Sequence, residues 1–353
     1  MFYTVEEYFK NKFDNGYKPY AFRAQTMEEY ENWRADFRAL LVSLLGHDKM
    51  SSCTPDPKSL GVETLDGYTR EKLVIQAESG IGMPLYVLKP SYAKPGDRFP
   101  VMLAPHGHNS NGKNAVCGID GGNEKMKRTI CEHNYDYGVQ FVKKGFLVLC
   151  PDARGFGERL EKEQQGAEDF TVCSCSYINS IALPLGFCIT GMWTWDLMRL
   201  LDYALSRDDA DNSRVNCGGL SGGGLQTLWL AAMDDRVKNV IISGYFYGYK
   251  QALLEMHNCS CNCVPNLWEN ADMGDISALL ADRNVFIETG DNDPLNGKDG
   301  LDNVYPQVDT LRRAAKLFGN ENNIRHSVFR GEHKWCGDES VPWIANINFN
   351  NQR

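Results

Sequence analysis

One stretch near the start of the chain carries a clear period of three to four residues. Tyr30, Trp33, Phe37, Leu40, Leu41 and Leu44 fall on one face of a helix, with charged residues between them. Thr26-Met-Glu-Glu29 opens it as a capping box, in which the threonine hydroxyl accepts from the Glu29 backbone N–H and the glutamate reaches back. Gly46 marks its end, and a loop carrying Ser51, Ser52, Pro55 and Pro57 follows. The runs 68–77 and 83–88 are strand-like and join through Ser79-Gly80-Ile81-Gly82, which predicts a hairpin.

From Pro100 onward, short apolar runs alternate with longer helical stretches. The predicted strands are 101–104, 146–150, 215–220, 240–243, 285–288 and 327–329; the predicted helices lie near 124–144, 192–206, 223–232 and 304–318. Apolar strands without alternation, separated by helices, predict a mostly parallel sheet covered on both faces, hence an α/β fold. Residues 1–60 are expected to form an N-terminal helical extension and 61–353 the α/β domain. Two long intervals, near 158–190 and 246–275, are expected to be inserts that wall a pocket, the usual role of long loops in such domains. No repeats or low-complexity segments interrupt the pattern.

Composition narrows the function. With 353 residues, 42% hydrophobic and 24% charged, the chain matches ordinary globular proteins. The 37 basic residues against 46 acidic ones, a net charge of −9, argue against a basic nucleic-acid binder. No apolar run approaches the roughly 20 residues of a spanning helix; the longest, 181–193, is broken by Pro184, Gly186 and Gly191. The N-terminus carries no basic stretch followed by an apolar one, so a cytoplasmic protein is expected. In a reducing compartment the twelve cysteines are expected as thiols, mostly packed as small hydrophobes. They cluster only at Cys173-Ser-Cys175 and Cys259-Ser-Cys261-Asn-Cys263. C-x-C is a poor chelate for one tetrahedral ion, so no metal and no cofactor are expected.

The chemistry concentrates in Gly219-Leu220-Ser221-Gly222-Gly223. A short strand precedes the serine and a helix follows it, the context of a nucleophile elbow. There a strained serine stands at the carboxyl end of a strand, facing the N–H groups of the next helix. A serine hydroxyl needs a base, and in such folds the partners follow in the order Ser, acid, His. His326 and His333 come late enough; His326 lies in a strand-like run, whereas His333 sits in a loop just past the last strand. The acid is expected from Glu288-Thr-Gly-Asp291-Asn-Asp293, with Asp293 favoured, Asp291 as the rival and Glu288 assigned to the strand. The oxyanion is expected to meet the backbone N–H of Gly222 and that of His108, in Ala104-Pro-His106-Gly107-His108-Asn109. His106 and His108 also form an H-x-H pair, which raises a metal-dependent alternative. Asp152 and Arg154, past the 146–150 strand, are expected to pair with each other and shape the loop. A dinucleotide site is not expected, because Gly222-Gly-Gly224 lacks the last glycine of G-x-G-x-x-G.

These residues resemble the acetyl xylan esterase and cephalosporin-C deacetylase branch of the α/β-hydrolases. The resemblance rests on Asp66-Gly67-Tyr68, His106-Gly107-His108-Asn109, Asp152-x-Arg154-Gly155-x-Gly157, the Ser221 elbow, Gly290-x-x-Asp293 and Gly331-x-His333, over about residues 60–345. It implies an α/β-hydrolase fold and a serine hydrolase that removes small acyl groups, often acetyl from sugars, without metal or cofactor. Its partner would be a small ester rather than nucleic acid or membrane; an oligomer is possible. His108 stands where the branch commonly has an aromatic residue, and the polar stretch after Pro294 also departs from it. Trp268, Trp335, Tyr245 and Tyr247 are candidates to line a sugar site. A prolyl oligopeptidase-like peptidase and a non-catalytic sugar-binding protein on the same scaffold remain alternatives.

Overall fold

A computed structural model describes residues 3–166 and 170–350. Nine strands form one sheet: β1 Lys58–Leu65, β2 Tyr68–Glu78, β3 Ile81–Pro90, β4 Phe99–Leu103, β5 Leu147–Pro151, β6 Ala210–Leu220, β7 Asn239–Ser243, β8 Asn284–Gly290 and β9 Ile324–Phe329. Their order across the sheet is β1-β2-β3-β5-β4-β6-β7-β8-β9. The hairpin β2–β3 and its neighbour β1 are antiparallel, β3 meets β5 antiparallel, and every pairing from β5 to β9 is parallel. Each predicted strand is present. β1 escaped prediction because seven of its eight residues are exposed, so it shows no apolar alternation.

Both faces of the central strands β4, β5 and β7 are buried, as unalternating apolar strands require. In β4, Val101 and Leu103 enter one core with the Ile189–Leu205 and Gly222–Met233 helices. Met102 joins Tyr137, Phe141, Val341 and Ile344 on the opposite face. The helical stretch expected at 124–144 is two helices, Glu124–Glu132 and Tyr137–Lys143. They part at Asn134, whose φ of 50° is a left-handed conformation that asparagine tolerates. The last helix, Ser340–Phe349, lies outside the predicted pattern, since Pro342 sits in its first turn and its apolar residues show little facial bias.

The helix Met27–Leu44 has the expected cap: Thr26 and Glu29 exchange both bonds of the capping box. It buries Tyr30, Phe37 and Leu41, and the Tyr30 hydroxyl donates to the Ala278 carbonyl at 3.0 Å. At its outer edge Arg34 and Arg38 reach Asp235, which also takes the buried Arg283. Val5–Asn15, a further helix, buries no residue. Among the described residues no single helix is long and apolar enough to cross a membrane.

Candidate active site

The site is built at the carboxyl ends of the parallel strands β6, β8 and β9. β6 ends at Leu220, and the Gly222–Met233 helix starts two residues later. The residue between them, Ser221, has φ 60° and ψ −120°, a conformation that costs a non-glycine residue about 1–3 kcal/mol. Its N–H is held by the Ser243 carbonyl at 2.8 Å. The flanking glycines are there for space: a Cβ on Gly219 would stand 2.6 Å from the Pro105 carbonyl oxygen, and one on Gly223 closer still.

β8 and β9 supply the other two groups through the loops that follow them. The His333 Nδ1 lies 2.7 Å from Asp293 Oδ2. Asp293 is buried at 4% exposure, and its other oxygen accepts the Leu295 N–H at 2.9 Å. Asp291 faces elsewhere: its Oδ1 accepts the Gly331 N–H at 2.9 Å and stays exposed. The His333 ring lies over Gly244, where a Cβ would stand 2.9 Å from His333 Cε1. Gly244 adjoins Ser243, whose carbonyl holds Ser221. The His333–Asp293 pair therefore lies beside the end of β7, whose last carbonyl holds Ser221.

The family model described as the Abhydrolase family matches residues 9–301. The chain belongs to the Abhydrolase family. Its sequence is 27% identical over 323 residues to the Bacillus subtilis (strain 168) protein YtaP, named as a hydrolase, covering 86% of this chain and 99% of that one. Its fold is similar to that of BF1801 from Bacteroides fragilis NCTC 9343, which is named as an acetyl xylan esterase. That match has TM-score 0.76 and 18% identity, over 97% of this chain and 84% of that one. A glucuronoyl esterase from Solibacter usitatus superimposes with TM-score 0.65 and 15% identity, over 95% of this chain and 100% of that one. The chain is therefore a hydrolase of α/β-hydrolase fold.

In this Abhydrolase-family chain the loop after β4 presses on the elbow. A Cβ on Gly107 would stand 3.1 Å from Ser221 Cβ, and one on Gly222 would stand 2.8 Å from His108 Nδ1. The two histidines of the H-x-H pair part company. The His106 ring is buried, its Nε2 accepts the Ala153 N–H at 3.0 Å, and its Nδ1 is therefore protonated and donates to the Gly107 carbonyl at 2.7 Å. Both ring nitrogens being used, His106 has none to offer a metal. His108 points instead toward Cys261, with Nε2 3.1 Å from Sγ.

Several expectations need correction. Asp152 and Arg154 do not pair with each other. Asp152 takes Lys113 at 2.6 Å, whereas Arg154 takes Asp196 at 2.7 Å and Glu78 at 2.8 Å. Lys113 also meets Glu158, so Lys113 and Arg154 each pair with two carboxylates. Trp335, Tyr245 and Tyr247 are core rather than sugar platforms: Trp335 is fully buried and stacks on Tyr137, and the two tyrosines are buried beside each other. Trp268 lines a cavity of about 760 Å³ with Phe13 and Tyr17, which includes none of Ser221, His333 and Asp293. His326 belongs to β9, where its Nε2 lies 3.0 Å from Thr289 Oγ1, and burial lowers its pKa to about 4.

One residue assigned only to a strand does more. Glu288, buried in β8, accepts the Gly337 N–H at 2.9 Å, the Cys336 N–H at 3.3 Å and the Ser340 hydroxyl at 2.5 Å. Burial pushes its carboxyl above the usual range, and these donors pull against that. It anchors the chain just past His333. Asn134, at the helix break, holds the same segment by donating to the Trp335 and Cys336 carbonyls. A lone glutamate in an apolar strand was the available signal.

Proposed function

We propose that the protein is a serine carboxylic ester hydrolase that removes small acyl groups, acetyl groups of sugars above all. Ser221 Oγ attacks the ester carbonyl and its proton passes to His333 Nε2. Asp293 holds Nδ1–H and favours the imidazolium that forms. The N–H groups of Gly222 and His108 receive the oxyanion, where loss of one donor typically costs about 100- to 1,000-fold in rate. The protonated His333 gives its proton to the departing alcohol. Water, activated by the same ring, then releases the acid and frees Ser221. The supporting observation is the hydrogen-bonded His333–Asp293 pair, its ring over Gly244 and so next to the Ser243 carbonyl that holds the strained Ser221. The names of the similar structures, acetyl xylan esterase and glucuronoyl esterase, favour carbohydrate esters over peptides.

Intact mass after treatment with a fluorophosphonate, beside turnover of p-nitrophenyl acetate, tests this. Wild type should gain one adduct and turn over the ester; Ser221→Ala should do neither. An unmodified, inactive but folded wild type would refute the assignment.

A further inference from the structure

We infer that His108, Cys175, Cys259 and Cys261 form a binding site for a thiophilic divalent cation of the zinc class. Their ligand atoms all lie within 4.8 Å of one another, and Cys175 and Cys261 are buried. Four ligands at zinc's bond lengths of about 2.0–2.3 Å stand roughly 3.3–3.8 Å apart at tetrahedral angles, so small side-chain rotations close the set. Three thiolates and one imidazole are a Cys₃His donor set, which soft tetrahedral Zn(II) prefers and hard Mg(II) or Ca(II) does not. On binding, the three thiols release their protons and neutral His108 binds through Nε2, leaving a site of net charge −1.

The sequence treats each C-x-C pair alone, and alone each is a poor chelate. The fold brings the pairs together from the two inserts, Cys175 from one and Cys259 with Cys261 from the other. Cys173 also lies within reach of Cys175 and Cys259, as a reserve thiol. The surroundings resemble the second layer of a built site, whose groups orient the ligands. Asn262 Nδ2 donates to Cys261 Sγ at 3.5 Å, and the Tyr245 hydroxyl in turn donates to Asn262 Oδ1 at 2.6 Å. The His108 ring is fixed edge-on between Phe156 and Trp193, with centroids at 5.3 and 6.2 Å. Two disulfides among the four thiols would leave that oriented imidazole without a partner. The ion ties both inserts to the loop that touches the Ser221 elbow.

The test uses the full chain, purified with reductant and desalted, with metal content read by elemental mass spectrometry. About one zinc per chain is expected, either as purified or after titration with Zn(II). Co(II) in its place should give the sulfur-to-metal charge-transfer absorption and visible bands of a tetrahedral thiolate site. Cys259→Ser/Cys261→Ser should lose the ion, whereas Cys131→Ser should keep it. The inference fails if reduced, folded wild type takes up neither ion. It fails equally if the folded double variant binds like wild type, or if the native protein carries these thiols as disulfides, seen as a loss of two hydrogens per bond. Should the double variant not fold, the wild-type cobalt spectrum decides alone. None of these readouts depends on esterase turnover.

Discussion

Asp291 and Asp293 stand two residues apart in one turn, and the fold assigns them different tasks. Asp293 is buried against the imidazole of His333, whereas Asp291 ties down the Gly331 N–H at the surface. Asp293→Asn keeps the volume but removes the charge that favours imidazolium, so kcat should fall by up to about 10⁴-fold. Asp291→Asn retains an amide oxygen able to accept from Gly331, and its kcat should stay within about tenfold of wild type. Steady-state turnover of p-nitrophenyl acetate by the two variants separates them; a silent Asp293→Asn would remove that residue from the mechanism. At this scale the sequence told much. The G-x-S-x-G pattern follows from steric need, since any side chain on Gly219 or Gly223 would strike Pro105. What it left open was which aspartate turns inward, because that depends on a backbone turn. The partner of His108 was also hidden, because its thiols lie far along the chain.

Among the elements, the helix Met27–Leu44 shows how an extension is made part of a domain. Its apolar stripe was legible from the spacing of Tyr30, Phe37 and Leu41. The ion pairs of Arg34 and Arg38 with Asp235 were not, since Asp235 lies some 200 residues away at the end of another helix. Burial works against charge on Asp235, yet Arg38, Arg34 and Arg283 hold its carboxyl down at about 2. A carboxyl with a lowered folded pKa contributes stability above its ordinary value of about 4 and loses that contribution as pH falls through about 2. Asp235→Asn should therefore melt below wild type at pH 7, with the gap closing between about pH 4 and pH 2. The aspartate is half exposed, so the gap should be modest and should shrink with added salt. Parallel thermal melts across pH would show it; a gap that persists undiminished at pH 2 would detach the effect from Asp235.

Over the whole molecule, the alternation of apolar runs and helices was enough for the class of fold and the strand count from β2 to β9. Each buried strand carries its signal in its own composition. β1 and the Ser340–Phe349 helix carry little such signal, one because it faces solvent and the other because its apolar residues are spread around it. The N-terminal region divides accordingly. Removing residues 1–15 takes away a helix with no buried residue and should lower the melting temperature only slightly. Removing residues 1–45 uncovers the sites of Tyr30, Phe37, Leu41 and Leu45 and should leave the protein insoluble or largely unfolded. Expression and melting of the two truncations check this, and equal behaviour would mean that the helix is dispensable.

The two inserts are also joined directly. Asn179 donates to the Ser260 carbonyl at 2.6 Å, and the Thr190 hydroxyl donates to the Cys261 carbonyl. Segments separated by some eighty residues are therefore bonded to each other, and neither is an independent part. Anyone grafting a relative's loop onto this scaffold to change its substrate range must transplant both halves as a cassette. Exchanging the first half alone would leave the Ser260 and Cys261 carbonyls without these donors, and exchanging the second alone would leave Asn179 and Thr190 without these acceptors.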